Sequence, residues 1–320
     1  MPKSSIQQLL TVVLVLHCVM SAGCAHLSRA QDPQADIGFI AINADMQLRR
    51  MRVHHAQPQG VVLFLHGFPE TLYAWKDLAL LLASDYEVHA FDWPGYGLSS
   101  RPPADRFAYA PTDYARVLQA YIRTAGIETS QLVIYATDIG ALPALLAAID
   151  DPKVAKKIIV GDFAPFDRPQ YMYASLQSLK SPPAADRTRV AMNSTRDEIL
   201  DNAFRRGLST EEQFAVSQEF REDMGRGWSQ NNITSADAFS HYYAHFTRDQ
   251  DYLEANLHKL TTPVTVIWGE KDVYINKDMG VEFATKANVE LIVLPGLGHY
   301  PHLQSPQRTI DEIRAAFEKR

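Results

Sequence analysis

The pentapeptide Ala136-Thr137-Asp138-Ile139-Gly140 constrains this chain more than any other stretch. It lies between the apolar run Leu132-Val133-Ile134-Tyr135 and the helix-like Ala141-Leu142-Pro143-Ala144-Leu145-Leu146. A strand, a sharp turn of small residues and a helix lift one side chain to an exposed apex, an arrangement that presents a nucleophile. Serine is the usual apex residue; here it is Asp138. A serine needs a base to take its proton, whereas a carboxylate is already an anion at neutral pH. Such an anion can displace a leaving group from an sp3 carbon and form an ester. The turn therefore points to opening of epoxides or displacement of halide rather than to simple ester cleavage. Taken alone, it is equally compatible with an Asp capping a helix on an unrelated turn.

Three further segments narrow the choice. Val61-Val62-Leu63-Phe64-Leu65 runs into His66-Gly67-Phe68-Pro69-Glu70. Glu87-Val88-His89-Ala90-Phe91 runs into Asp92-Trp93-Pro94-Gly95-Tyr96-Gly97-Leu98-Ser99-Ser100. Leu291-Ile292-Val293-Leu294 runs into Pro295-Gly296-Leu297-Gly298-His299. Each places a motif just after a strand-type run. Together they resemble the α/β-hydrolase family. HGFPE, an Asp apex and GxGH in combination resemble its branch of epoxide hydrolases and haloalkane dehalogenases. The resemblance spans residues 37–320 and is weakest over 164–255.

Strand and helix patterns alternate over 61–163, with Tyr114, Val117, Leu118 and Tyr121 at helical spacing within Thr112 to Ala125. That alternation predicts an α/β fold, a mostly parallel sheet with helices on both faces. An opening hairpin is expected over Ile37–Ile42 and Met46–Val53, and a buried strand at Lys157–Phe163. The rhythm breaks from Ala164 to Leu257, where Ile199–Arg206, Glu211–Asp223 and Ala236–Phe246 read as helices. The resemblance implies that this stretch is an inserted helical cap. Val264–Gly269 and Val289–Leu294 resume the sheet, and Thr309–Lys319 closes the chain as an amphipathic helix. The expected organisation is a signal peptide (1–23), a tether (24–36), the first part of the core (37–163), the cap (164–257) and the second part of the core (258–320).

Lys3 followed by the apolar stretch Leu9 to Val19 reads as an export signal, too short to span a bilayer. Ser21-Ala22-Gly23-Cys24 resembles a bacterial lipobox, which implies cleavage before Cys24, its lipidation and a membrane-anchored lipoprotein facing the periplasm. Ordinary secretion, giving a soluble periplasmic or secreted protein, and an uncleaved anchor are the alternatives. Cys18 and Cys24 are the only cysteines and Cys18 lies inside the signal, so no disulfide is expected. No spacing suggests a metal site, and no cofactor is expected. The net charge of −6 and scattered basic residues argue against a nucleic-acid partner.

The resemblance implies roles residue by residue. Asp138 is the nucleophile. His299 is the base that activates water against the ester. Asp272 orients His299, with Asp162 and Glu270 as alternatives; His302 fits a satisfied structural histidine better. The amides of Phe68 and Ile139 form the oxyanion hole, and Pro69 follows a cis peptide bond. An epoxide oxygen needs a proton donor, and Tyr242, then Tyr243, occupies the cap segment that resembles the family's ring-opening tyrosine. Tyr171 and Tyr173 are candidates for a second donor. Halide needs N–H donors instead. Phe68 and Ile139 stand where dehalogenases carry Asn, Trp or Arg, and Trp228 is the only cap tryptophan. Glu198–Phe204 is faintly similar to a dehalogenase cap. The partners expected are a small apolar substrate and water. The first reading is an epoxide hydrolase. The others are a haloalkane or haloacid dehalogenase, another hydrolase or lyase on this scaffold, and a non-catalytic small-molecule binding protein.

Overall fold

The structure, a computed structural model, describes residues 34–231 and 233–318. The signal segment, Cys24 with its expected lipidation and most of the tether lie outside the described residues.

An antiparallel hairpin opens the chain, β1 (Asp36–Asn43) and β2 (Met46–Val53). There follow β3 (Val61–Leu65), α1 (Lys76–Leu82), β4 (Glu87–Phe91), α2 (Pro111–Thr124), β5 (Leu132–Thr137), α3 (Ala141–Asp150) and β6 (Lys157–Gly161). A helical stretch comes next: α4 (Ala174–Ser178), α5 (Ala184–Ser194), α6 (Arg196–Asn202) and α7 (Gln218–Gly227). A two-residue hairpin, β7 (Ser229–Gln230) with β8 (Ile233–Thr234), leads to α8 (Ser235–Ala244) and α9 (Phe246–Asn256). The sheet resumes with β9 (Val264–Gly269), α10 (Lys277–Ala287) and β10 (Glu290–Leu294), and the chain closes with α11 (Pro301–Gln304) and α12 (Pro306–Phe317).

The main sheet has eight strands in the order β1-β2-β4-β3-β5-β6-β9-β10. β2 runs antiparallel to both neighbours, and every other pair is parallel. β3 and β5 are buried throughout, which explains their unbroken apolar sequences: a central parallel strand has no solvent face. α3 is buried along nearly its whole length because α2 and α9 cover it, so it is apolar on all sides. α2 keeps a polar outer face and buries Tyr114, Val117, Leu118 and Tyr121.

The helices between β6 and β9 belong to the same compact unit as the sheet, Pro33–Arg320. Their bounds differ from the sequence expectation. The helix read over Ile199–Arg206 is α6, which stops at Asn202 and gives way to a tight turn at Ala203–Arg205. Residues 213–217 are irregular, and α7 begins only at Gln218, where the Ser217 hydroxyl accepts the Phe220 amide. Such a cap satisfies one of the donors a helix start leaves open. α5 and α9 escaped the sequence reading because both are strongly polar; α5 buries only Ala185.

A buried charge cluster fastens this layer to the sheet. Arg49 on β2 donates from Nε to Asp92 (2.6 Å) and from both terminal nitrogens to Asp223 on α7 (2.8 and 2.6 Å). Thr71 Oγ1 donates to the same Asp223 (2.7 Å), and Asp92 accepts the Leu72 and Leu98 amides (2.8 and 2.9 Å). Burial alone would lower the Arg49 pKa; Asp92 and Asp223 outweigh it and raise it. The Asp92–Gly97 turn is thus part of the joint between sheet and helices.

Candidate active site

β5 ends at Thr137, and Asp138 takes φ +48° before the chain turns into α3. A non-glycine residue in this left-handed region is strained, and its surroundings must hold it there. Close packing does so. A Cβ on Gly67 would lie 2.7 Å from the Asp138 Cβ, and one on Gly140 would lie 3.0 Å from the Leu65 carbonyl. A side chain at Gly67 would thus displace Asp138, and one at Gly140 would press on the backbone of the neighbouring loop. Ala136, standing where the motif usually has its first Gly, fits fully buried.

The loop after β3 meets this apex. The Phe68 amide donates to Asp138 Oδ1 at 2.8 Å. Ile139 shares the turn, but its amide makes no hydrogen bond to the Asp138 carboxylate; its carbonyl accepts the Tyr242 hydroxyl at 3.2 Å. The loop is braced from several directions. Glu70 accepts the Gly67 amide (2.7 Å) with one oxygen and meets His302 Nε2 (2.7 Å) with the other. Tyr300 donates to the Phe68 carbonyl (2.8 Å). The Trp93 amide donates to His66 Nε2 (3.1 Å), so His66 Nδ1 carries the proton it gives to the Gly67 carbonyl (2.7 Å). Burial pushes the His66 pKa down and keeps the ring neutral. The Phe68–Pro69 peptide is cis, as expected. The bracing roles of Glu70 and Tyr300 were missed in the sequence; Glu70 was visible only as the last letter of HGFPE.

His299 sits after β10 with Nε2 3.4 Å from Asp138 Oδ2 and Nδ1 2.8 Å from Asp272 Oδ2. The other Asp272 oxygen accepts the Tyr274 and Ile275 amides (2.8 and 3.0 Å). Burial alone would lower the His299 pKa, but Asp272 and Asp138 outweigh it and raise it well above the ordinary histidine value. Asp162, the alternative acid, does not contact His299 through a hydrogen bond. It follows β6 at φ +51°, fully buried, and accepts the Gly269 amide at 2.8 Å, while its Oδ2 has no partner. Burial first and Asp272 second push its pKa well above the carboxylate range. Glu270 accepts the Gly296 amide (3.0 Å) and ties two surface loops together.

Asp162, Asp272 and His299 have donor atoms within 4.8 Å of one another, the single such group among the described residues. The backbone amides and the His299 ring already use the Asp272 lone pairs, and Asp272 holds His299 Nδ1, so these groups form a proton-handling array rather than a ready-made cation cage.

Asp138 and His299 open onto a cavity of about 350 Å³. α4, α5 and α6 contribute much of its wall and α8 adds Phe239; Phe68, Leu176, Leu179, Met192 and Ile199 supply further apolar surface. Phe239 stacks on Phe68 with ring centroids 4.3 Å apart. Tyr242 and Tyr243 border a second, much smaller cleft, which also touches Asp138. The Tyr242 hydroxyl is held by the Ile139 carbonyl, whereas the Tyr243 hydroxyl makes no hydrogen bond among the described residues. Tyr173 lines the main cavity and accepts from Arg206 (2.9 Å); Tyr171 does not line it. Trp228 is buried beside Phe68, ring centroids 6.0 Å apart, and gives no surface to the cavity. Trp75, Trp93 and Trp268 are fully buried in the core.

The helical layer is also stitched to the loop that carries Asp272. Met172 bridges Ile275, the Tyr173 amide donates to the Tyr274 carbonyl (2.8 Å), and the Asn276 amide donates to the Tyr171 carbonyl (2.7 Å).

Strand order, elbow and His–Asp pair together define the α/β-hydrolase fold. Residues 62–312 match the alpha/beta hydrolase family, and the chain belongs to it. Epoxide hydrolase 4 of Mus musculus is 24% identical over 261 residues, covering 77% of this chain and 69% of that protein. A fluoroacetate dehalogenase of Burkholderia sp is 36% identical over 106 residues, covering 32% of this chain and 34% of that protein. The crystal structure of wild-type Cfl2 from Burkholderia cenocepacia superposes with a TM-score of 0.73 at 21% identity, over 88% of this chain and 95% of that one. That last likeness concerns the fold.

Proposed function

We propose that this hydrolase opens epoxides through a covalent ester on Asp138. The observation that carries the reading is the treatment of one carboxylate: Oδ1 takes the Phe68 amide while Oδ2 faces His299. Asp138 Oδ2 attacks the less hindered ring carbon, the C–O bond breaks, and a tyrosine hydroxyl protonates the leaving oxygen. His299 gives up its proton, which restores the tyrosine hydroxyl, and then takes a proton from water, whose oxygen attacks the ester carbonyl carbon. The Phe68 amide, with that of Ile139 at the same turn, receives the charge that develops on the carbonyl oxygen. Collapse breaks the ester C–O bond, the added hydroxyl's proton passes to the departing alkoxide, and the diol leaves with Asp138 again a carboxylate.

The electrostatics favour this order. In the free site His299 lies beside two carboxylates, which hold its proton. Esterification removes the Asp138 charge and leaves only Asp272. The affinity of His299 for a proton falls, and the ring becomes a base when a base is needed.

Tyr243 suits the donor role better than Tyr242, the first choice from sequence. Both border the cleft at Asp138, but the proton of Tyr242 is engaged by the Ile139 carbonyl. Tyr243→Phe is expected to slow formation of the ester from an epoxide by about 10²–10⁴-fold, and Tyr242→Phe by less than about tenfold, in single-turnover measurements. Equal effects would remove the distinction.

Displacement of halide is the second reading, favoured by the segment shared with the fluoroacetate dehalogenase. The absence of Trp228 from the cavity wall counts against it. Intact mass of His299→Gln protein after incubation with epoxides and haloalkanes separates the two. An adduct equal to the whole epoxide, absent in Asp138→Ala, is the expected result. An alkyl adduct lacking halogen would establish the second reading, and no adduct on either panel would overturn the nucleophile assignment.

A further inference from the structure

We propose that Arg206 is a carboxylate-binding residue at the rim of the cavity. The preferred substrate is then an organic acid whose reacting carbon lies a few bonds from its carboxylate. The inference takes the reacting group from the reading above, while the anion site stands on separate observations.

Apart from His299, Arg206 is the basic residue of the cavity wall. Its guanidinium lies over the rings of Tyr173 (5.4 Å to the centroid) and Tyr274 (5.8 Å), and one nitrogen donates to the Tyr173 hydroxyl (2.9 Å). Two aromatic faces and a hydrogen bond fix the plane of the group without neutralising it, because neither ring carries a counter-charge. Among the described residues no carboxylate forms an ion pair with it. Glu198, on the same wall, makes none either. By contrast Arg49, Arg168 and Arg189 are each committed to carboxylates.

The turn that presents Arg206 is itself held. Gly207 has φ +86°, and a Cβ there would lie 2.6 Å from the Val273 side chain on the Asp272 loop. A single ring, Tyr274, contacts both Arg206 and His299, whose ring centroid is 5.0 Å from its own. The cation therefore stands one ring's width from the base, at the open end of a wall that is otherwise mainly apolar. An anion bound there would leave its hydrocarbon portion facing Phe239 and Met192 and its reacting carbon toward Asp138. In a chain of net charge −6, a lone, immobilised guanidinium on a cavity wall supplies the local attraction an anionic substrate needs. The remaining guanidinium N–H groups suit a planar carboxylate.

Octanoate and octanamide are the test pair: same length, one charged, neither reactive. Calorimetric titration of the wild-type protein at low salt is expected to show octanoate binding about tenfold tighter, the size of a partly exposed charge-assisted contact. In Arg206→Gln the preference should vanish through loss of octanoate affinity, with octanamide affinity retained as evidence that the cavity is intact. No preference in the wild-type protein, or a preference that survives in Arg206→Gln, would overturn the proposal. In parallel, kcat/KM for a carboxylate-bearing epoxide relative to its methyl ester should fall about tenfold in the variant. Octanoate discrimination with no turnover of any epoxide would remove the reaction assigned above and leave the anion site standing.

Discussion

Replacing Asp272 with Asn is expected to lower turnover by about 10³–10⁴-fold, the scale seen when the orienting acid of a His–acid pair loses its charge. The carboxylate accepts the His299 Nδ1 proton at 2.8 Å and thereby leaves Nε2 bare toward water and Asp138. An amide in its place can donate as well as accept, so the ring can turn to the wrong tautomer, and the charge that sustains the imidazolium disappears. Asp162→Asn is expected to leave turnover within a few-fold, although Asp162 occupies the other strand end where this fold can carry an acid. The two variants also separate in stability. The Asp162 pKa is raised in the folded protein, so the unfolded chain releases that proton first. The folded state loses stability as pH rises from the ordinary carboxylate pKa near 4 toward the raised folded value. Asn carries no such penalty. Thermal midpoints should therefore show Asp162→Asn gaining on the wild type as pH rises above the ordinary carboxylate pKa near 4. A crippled Asp162→Asn beside an active Asp272→Asn would reverse the roles.

Arg49→Met should cost about 3–5 kcal/mol of folding free energy. Methionine fills much of the same volume but leaves the Asp92 and Asp223 carboxylates facing each other in a dry interior, both fully buried. Thr71 and the Leu72 and Leu98 amides still reach them, and Arg226 still reaches Asp223 at 3.2 Å, but Asp92 is left with no cation. The loss concentrates where α7 meets β2, so cleavage by a protease in the helical layer should accelerate as well. Urea midpoints at unchanged slope measure the effect, and a loss below about 1 kcal/mol would place this ion pair among the dispensable ones.

The parts of this molecule legible in its sequence are those written in consecutive residues. Asp138 and the Phe68 loop follow strands buried throughout, His299 follows the partly buried β10, and each has a glycine within two residues, so the strand ends and sharp turns announce themselves. The order of those segments carried the sheet topology. Relations across the chain were illegible. Glu70 and His302 are separated by 232 positions, and no local pattern joins them. Asp162 and Asp272 both follow strands at the same sheet edge; which one meets His299 depends on where each side chain turns. Tyr242 and Tyr243 are adjacent on α8, about 100° apart around the helix axis, and only packing decides which hydroxyl is held by Ile139. The polar α5 and α9 draw their stability from neighbouring helices, so periodicity carried little sign of them.

The stitching of the Tyr171–Tyr173 segment to the Tyr274–Asn276 loop has a mechanical consequence. That loop also supplies the amides that hold Asp272. Prising the layer up along this border would tear backbone bonds and drag the acid away from its imidazole. The border therefore acts as a clamped hinge. Any movement of the helical layer that spares these bonds would leave the Asp272–His299 pair aligned.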